Sequence, residues 1–312
     1  MAQTKILLRV RDYDLAATLD SGQVFRWREH NGSWIGVVGK RWVRLTQTRA
    51  GIRAETEVPV SDWKWLHDYL QSDVELAAML KTFPDDKPMR DAVAACHGLR
   101  ILRQDPWECL VSFILSSTKQ IVQIRQIIAL LCERFGEPVD GFQVGRVTPC
   151  APWWGNYTSS IAIGGALGTA RPTSLQFSFP TAERLAVTTE AELRACKMGF
   201  RAPHLLAAAR RIADGKFDLK RLHRLPLVEA RAELVKLHGV GDKIADCVLL
   251  FAYGFDSAFP VDVWIGCALR ELYFPRRHVT AKQLQGFAAT HFGPHSGYAQ
   301  QYLFHYMRTK VK

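Results

Sequence analysis

The stretch Leu237–Ile265, LHGVGDKIADCVLLFAYGFDSAFPVDVWI, sets Lys243 at the head of a run that reads as a buried helix. It also sets Asp262 between Val261 and Val263, behind Pro260. With the preceding AELVK the stretch reads as helix, tight turn, helix. Gly239 and Gly241 bracket Val240. Glycine permits unusual backbone angles and lets a second backbone come close. A turn that ends in a helix N-terminus points free N–H groups outward, which suits an anion. The hairpin is therefore a candidate clamp for a nucleic-acid backbone, one that positions a duplex without reading its sequence. An ordinary αα-hairpin with a glycine turn would look the same.

Lys243 falls in the first turn of the second helix, where a cation meets the partial positive charge of the helix end. That field, together with burial, favours the neutral amine, the form suited to Schiff-base chemistry. Cys247 and Phe251 follow at i+4 and i+8, so the three share one stripe that can wall a pocket. Ile244, Val248 and Leu249 face elsewhere, into a core. Plain core packing explains Cys247 and Phe251 equally well, and a phosphate-bonded surface lysine explains Lys243. Asp262 precedes an apolar-periodic helix and is a good N-cap. As a carboxylate held beside Lys243 it could also stabilise positive charge on a sugar or orient the nucleophile. The two roles are compatible.

Outward from this stretch, the 312 residues carry 41 Lys and Arg against 30 Asp and Glu, a balance of +11. A basic surplus favours a polyanionic partner, nucleic acid before anionic membrane. The seven cysteines, Cys96, Cys109, Cys132, Cys150, Cys196, Cys247 and Cys267, are scattered and never paired as CxxC. This argues against a disulfide framework, a zinc site or an iron–sulfur cluster, and for reduced, half-buried thiols in an intracellular protein. The apolar run Ile6–Val10 is broken by Arg9 and too short for an export signal, and no window approaches a membrane span.

Residues 5–58 alternate with period two around a Gly39-Lys40 turn, which predicts a small antiparallel sheet. From Ser61 the period turns helical, opening on a Ser-Asp cap. Further helical patterns cover 88–98, 105–135, 181–195, 201–214, 226–237, 241–253, 261–272, 280–290 and 296–308. The fold class expected is α+β: a small antiparallel N-terminal sheet packed on a larger all-α body. Residues 1–95 form the first domain and 96–312 the second, with the helix–hairpin–helix at 230–253. Val144–Thr173, inside an atypical segment of about 140–174, has no acidic residue and no sustained periodicity. Trp153 and Trp154 beside Arg146 and Arg171 could touch nucleic acid, but the segment reads first as a tolerated insertion.

The hairpin lysine in GVGDKIADC and the aspartate in PVDV resemble the helix-hairpin-helix DNA glycosylases, and within them the 8-oxoguanine branch. Other motifs resemble the same family in the same order: LDSGQVFRWRE from Leu19, YLQSDVELA from Tyr69, LRILRQDPWECLVSFILSS from Leu99, MGFRA from Met198 and GYAQQYLF from Gly297. The likeness covers the chain except about residues 139–174. It implies a bifunctional enzyme that excises 8-oxoguanine from duplex DNA and nicks the abasic strand. Lys243 would attack C1′ and form an imine; Asp262 would be the essential carboxylate. The Gly22 carbonyl would face the N7–H of 8-oxoguanine, which guanine lacks. Cys247 and Phe304 would sandwich the extruded base, Gln300 would bond its Watson–Crick edge, and Phe251 and Pro260 would complete the pocket. Gln300 and Phe304, at i and i+4, can share one wall. Base extrusion is needed because C1′ is unreachable inside the stack. Phe200 fits a wedge, with Arg201 beside it on the partner base.

The chain also departs from the family. Thr118, Lys119, Gln120 and Gln123 stand where residues that read the opposite cytosine are usual, which implies relaxed opposite-base specificity. Trp264 replaces a histidine that touches phosphate, beside the backbone contacts of Gly239, Val240 and Gly241. No cofactor is expected, although a structural cation at the hairpin is compatible with the pattern. The expected partner is double-stranded DNA containing 8-oxoguanine, bound by a monomer that works with the DNA inside the cell and at no membrane. Two alternatives remain: a monofunctional alkylbase glycosylase, a branch that normally lacks the lysine, and a non-catalytic DNA-binding module. Only Cys267 follows Asp262, which disfavours the iron–sulfur branches.

Overall fold

The computed structural model describes residues 2–117, 119–139 and 176–310. Five antiparallel strands form one sheet, in the order β1-β5-β4-β3-β2. They are β1 (Gln3–Leu8), β2 (Arg28–His30), β3 (Ser33–Val38), β4 (Arg41–Thr48) and β5 (Gly51–Val60). The Gly39-Lys40 turn closes β3 onto β4 with Val38 opposite Arg41. An Asn31-Gly32 turn closes β2 onto β3, both residues at positive φ, the geometry favoured by tight hairpins. Alternation sends Val43, Leu45, Ile52 and Ala54 to one face. They are buried there with Leu15 and Leu19 of α1 (Leu15–Asp20) and Leu66 and Leu70 of α2 (Lys64–Leu70). Each such side chain contributes about 1.5–3 kcal/mol when fully buried.

The helical body comprises α3 (Leu76–Leu80), α4 (Lys87–Ala95), α5 (Pro106–Ser116), α6 (Ile121–Phe135), α7 (Ala182–Ala186), α8 (Glu190–Arg194) and α9 (Ala202–Ala213). It continues through α10 (Leu227–Val235), α11 (Asp242–Val248), α12 (Val263–Tyr273), α13 (Ala281–His291) and α14 (Ser296–Lys310). Its core is continuous, from Leu110 and Val111 on α5 to Ala299, Tyr302 and Leu303 on α14. Helix α5 is the central rod. Asp105 caps it through Glu108 N at 2.9 Å, Pro106 opens it, and its residues from Cys109 to Leu115 are buried.

Several expected elements differ. The helix expected over 105–135 is two, because Ser117 is extended at φ −60°, ψ 125° and the chain restarts at Gln120. The pattern over 181–195 is also two short helices, each with its own threonine cap. The run from Ser61 divides into α2 and α3 after Gln71, which is left-handed at φ 51°. The expected helix 241–253 is α-helical only to Val248, and Leu249–Tyr253 widens into a π turn. The described cysteines are not half-buried: Cys96, Cys109, Cys132, Cys196 and Cys247 are buried and Cys267 is exposed, all as free thiols.

Cys150, Trp153 and Trp154, with Arg146 and Arg171, lie outside the described residues. The residues flanking that segment are tied together: Val139 N donates to Gln176 O at 2.9 Å and Pro138 bridges Phe177. Val139 packs with Ile35, Val37 and Trp42 of the sheet. Val139 and Gln176, the described residues on either side, therefore lie side by side.

Candidate active site

Helices α10 and α11 are joined by the Leu237–Gly241 hairpin and tied by Arg231 Nε donating to Asp246 Oδ1 at 2.7 Å. Burial lifts the Asp246 carboxyl to about 6, against the opposing pull of Arg231. Gly239 adopts φ +82°, and a Cβ there would lie 2.6 Å from the His204 ring. Val240 is buried and closes the turn through its N–H on Leu237 O at 3.1 Å. Gly241 is exposed at the N-cap of α11.

Lys243 is half-buried in the first turn of α11. Its Nζ donates to Ser116 Oγ at 3.2 Å and lies 5.2 Å from the centroid of the Phe113 ring. A cation over an aromatic face gains about 0.5–1 kcal/mol or more. Phe113 in turn stacks on Phe251, with centroids 5.4 Å apart and planes 17° apart. Cys247 is buried beside the amine. Burial pushes its thiol up to about 12, with the Lys243 charge opposing and Asp262 adding to the rise.

Asp262 and Lys243 both act on the Cys247 thiol, yet among the described residues they form no ion pair. Asp262 instead caps α12 through Ile265 N at 2.8 Å, which fixes its carboxylate while leaving it half-buried. Pro260 is buried next to it, and Trp264 is 47% exposed at the start of α12.

The chain termini converge on a second wall. Gly22 has φ +82°, and a Cβ there would be 3.2 Å from each of Phe304, Ile121 and Arg308. Phe304 is half-buried on α14 with the Arg308 guanidinium 5.5 Å from its ring centroid. One turn earlier, Gln300 is 4% exposed, and its Oε1 is buried without a hydrogen-bond partner among the described residues. An unmet buried acceptor costs about 1–3 kcal/mol, so this oxygen waits for a donor.

A third group lies at the end of α5. Phe200 is 58% exposed, and the buried Arg201 packs its guanidinium 4.2 Å from the Phe200 ring centroid. Arg201 Nε donates to Ser117 Oγ at 3.1 Å. Lys119 is half-buried, Gln120 is exposed, and Gln123 Oε1 is engaged by Gln120 N at 3.2 Å, as a helix cap. Thr118 lies outside the described residues.

Sequence reasoning missed Phe113, Ser116 and Ser117, although all three stand in the quoted SFILSS motif. Phe113 and Ser116 are i, i+3, the spacing that puts both on one face of α5. It also missed His204, whose Nδ1 lies 2.7 Å from His238 Nδ1 under the hairpin glycine; no local pattern marks it.

A family model described as the 8-oxoguanine DNA glycosylase N-terminal domain matches residues 5–110. A solved structure titled MBOgg1 in complex with a low-affinity DNA ligand aligns with 32% identity and a TM-score of 0.86, covering 100% of this chain and 98% of that one. The chain belongs to the 8-oxoguanine DNA glycosylases. The Clostridium acetobutylicum 8-oxoguanine glycosylase/lyase, solved with double-stranded DNA containing cytosine opposite 8-oxoG, aligns with this glycosylase at 30% identity. The TM-score is 0.81, with 96% of this chain and 93% of that chain covered. A probable N-glycosylase/DNA lyase of Methanothermobacter thermautotrophicus is 29% identical over 96% of this chain and 95% of its own length. The α+β fold of the glycosylase, a five-stranded sheet against a helical body, is the fold of these relatives.

Proposed function

We propose that Lys243 is the nucleophile, Asp262 the essential carboxylate, and the Gly22–Gln300–Phe304 wall the base pocket of this glycosylase. The enzyme excises 8-oxoguanine from DNA and is a bifunctional glycosylase and abasic-site lyase. The alkylbase and non-catalytic readings are less favoured. The Lys243 amine attacks C1′ as the C1′–N9 bond breaks, and the base leaves with that electron pair and takes up a proton. Loss of the amine proton and opening of the sugar ring give an imine. Removal of a C2′ proton then expels the 3′ phosphate by β-elimination. Asp262, fixed by its cap bond, stabilises positive charge on the sugar. This chemistry needs an amine and a carboxylate and no cofactor.

The observation that carries the reading is the buried, partnerless Gln300 Oε1 one helical turn from Phe304, which itself faces Gly22. Its complement is the N1–H and N2–H₂ edge of a guanine, with Phe304 against the ring face. Cys247 supplies the other face as an un-ionised thiol, and Phe251 and Pro260 line the floor. Gly239, Val240, Gly241 and Trp264 meet the phosphates, Phe200 fills the vacated stack, and Arg201 meets the orphaned base. Lys119, Gln120 and Gln123, with Thr118, are ill-suited to read cytosine, and Gln123 is already used as a cap.

Double-stranded DNA is the partner, and the lesion-bearing duplex is its proposed form. The enzyme acts as a monomer, in the compartment that holds the DNA. Its domains divide near residue 95, and the segment 140–174 is a tolerated insertion. No helix among the described residues is long and apolar enough to cross a membrane. Borohydride trapping on an 8-oxoguanine duplex tests the reading: the wild type cross-links and Lys243→Gln does not. Trapping of that variant at the wild-type level would remove Lys243 from its role.

A further inference from the structure

The backbone around Gly22 is held in an unusual way. Three carbonyls are each taken by a side chain from a distant part of the chain. Asp20 O accepts from Arg308 Nη1 at 3.2 Å, Ser21 O from Gln301 Nε2 at 3.0 Å, and Gln23 O from Gln104 Nε2 at 2.8 Å. The Gly22 carbonyl, in the middle of this run, has no hydrogen-bond partner among the described residues.

The Gln23 side chain is fully buried and saturated. Its Nε2 contacts Thr18 O at 3.0 Å, Ser21 Oγ at 3.0 Å and Arg100 O at 2.8 Å, and its Oε1 accepts from Leu102 N at 2.8 Å. Gln104 completes the frame. Its side chain holds Gln23 O, and its own N–H donates to Phe251 O at 2.8 Å, in the π turn that continues the lysine helix. The peptide before the glycine is thus held at Ser21 O, the residue after it is held at both its side chain and its carbonyl, and the anchor runs on to the helix of Lys243.

We propose that Gln104 and Gln23 are positioning residues for lesion selection. They fix residue 23, the hinge that follows the Gly22 carbonyl, through its side chain and its own carbonyl, which restricts the Gly22 carbonyl from turning away from N7 of the bound purine. The proposal rests on the reading of Gly22 as the lesion-sensing carbonyl. A carbonyl distinguishes N7–H from an N7 lone pair only if it is held. If it can swing by a peptide rotation, guanine escapes the lone-pair repulsion and 8-oxoguanine loses a well-aligned bond. Neither glutamine touches the sugar or the amine, so the abasic-site reaction does not depend on them.

The test uses the full chain carrying Gln104→Met, which keeps the side-chain length and removes the donor. It compares single-turnover excision of 8-oxoguanine, incision at a preformed abasic site, and competition by duplexes holding guanine or 7-deazaguanine. Removing a buried hydrogen bond at the recognising turn lowers 8-oxoguanine excision by about tenfold or more, equivalent to about 1.4 kcal/mol. Abasic-site incision stays within about threefold, and guanine competes better than against the wild type. Gln104→Asn, an amide one methylene shorter, moves the same ratio in smaller measure. The ratio of excision to abasic incision is the readout, and a merely structural role would lower both together. Proportionate loss in both variants, or an unmoved ratio, overturns the inference. The Gly22 reading fails separately, on the wild type alone. If guanine and 7-deazaguanine duplexes compete equally, the carbonyl does not read N7.

Discussion

Asp262 is the residue at which structural and chemical roles are best separated. Its carboxylate bonds Ile265 N at 2.8 Å, and α12 has no other acid in its first turn. Asparagine caps a helix about as well as aspartate, so Asp262→Asn keeps the bond and loses only the charge at the helix end. That charge is worth about 0.3–1 kcal/mol at a half-exposed site. Asp262→Ala loses the cap as well, for a total of about 1–2 kcal/mol. In a chain of this size a kcal/mol moves the melting temperature by about 2–4 °C. The asparagine variant is then expected to melt about 1–3 °C below the wild type, and the alanine variant about 3–6 °C below. Catalysis follows a different order. Removing a positioned charge that stabilises the developing sugar cation costs about 10²–10³ in rate, in either variant. Thermal melts paired with single-turnover excision of 8-oxoguanine make the check. Two variants ranked by stability yet equally depleted in rate support a carboxylate with two jobs. Near-wild-type excision by Asp262→Asn would reduce Asp262 to a helix cap and refute the mechanism.

Gly239→Ala forces a side chain to φ +82° and to 2.6 Å from the His204 ring. It is expected to weaken binding to lesion-bearing and undamaged duplexes alike, by about tenfold, since each displaced phosphate contact costs affinity without regard to sequence; titrations on both duplexes measure it, and a loss confined to the lesion duplex would contradict a backbone clamp. Asp246, lifted by burial to about 6 from 3.8, binds its proton more tightly in the folded protein. Its contribution is therefore fully present below about pH 4 and lost as pH rises through about 6, amounting to about 1–3 kcal/mol. Melts of wild type and Asp246→Asn from pH 4 to 7 should show the wild type gaining on the variant as pH falls, and parallel curves would count against it. Opposite-base discrimination is expected to be modest, with excision opposite cytosine and adenine differing by less than about tenfold; each good base contact is worth about 1–3 kcal/mol of discrimination. A preference for cytosine of several orders of magnitude in single-turnover rates would show that Lys119, Gln120 or Gln123 reads the partner base after all.

Local pattern carried the sheet and the hairpin. Period-two alternation marked the sheet, in which Val43 and Leu45 are buried, and the glycine pair placed Lys243 at a helix start. Pattern also put Cys247 beside Lys243, because four residues make about one turn. It failed where backbone geometry changed without a change in polarity. The π turn is invisible because Leu249–Tyr253 is apolar all round, whereas the break at Ser117 does fall in the polar run Ser116–Gln120 and is bridged only because apolar residues resume from Ile121. Side chains that act across long sequence separations left no trace. Gln23 and Gln104 meet over 81 residues, and Ser116 reaches Lys243 over 127. The proposed base pocket could be named from the sequence only through family resemblance, since Gly22 and Phe304 come from opposite ends of the chain.

The last residue of the central rod and the residue that follows it have divided loyalties. Ser116 ends α5 with its hydroxyl on the Lys243 amine, and Ser117 begins the extended link with its hydroxyl on the Arg201 guanidinium. The chain leaves the helix between them, so the two bonds run to different elements from a single point of support. That point is a fulcrum. A displacement of the end of α5 would reach both bonds at once, the one on the proposed nucleophile and the one on the arginine beside the proposed wedge.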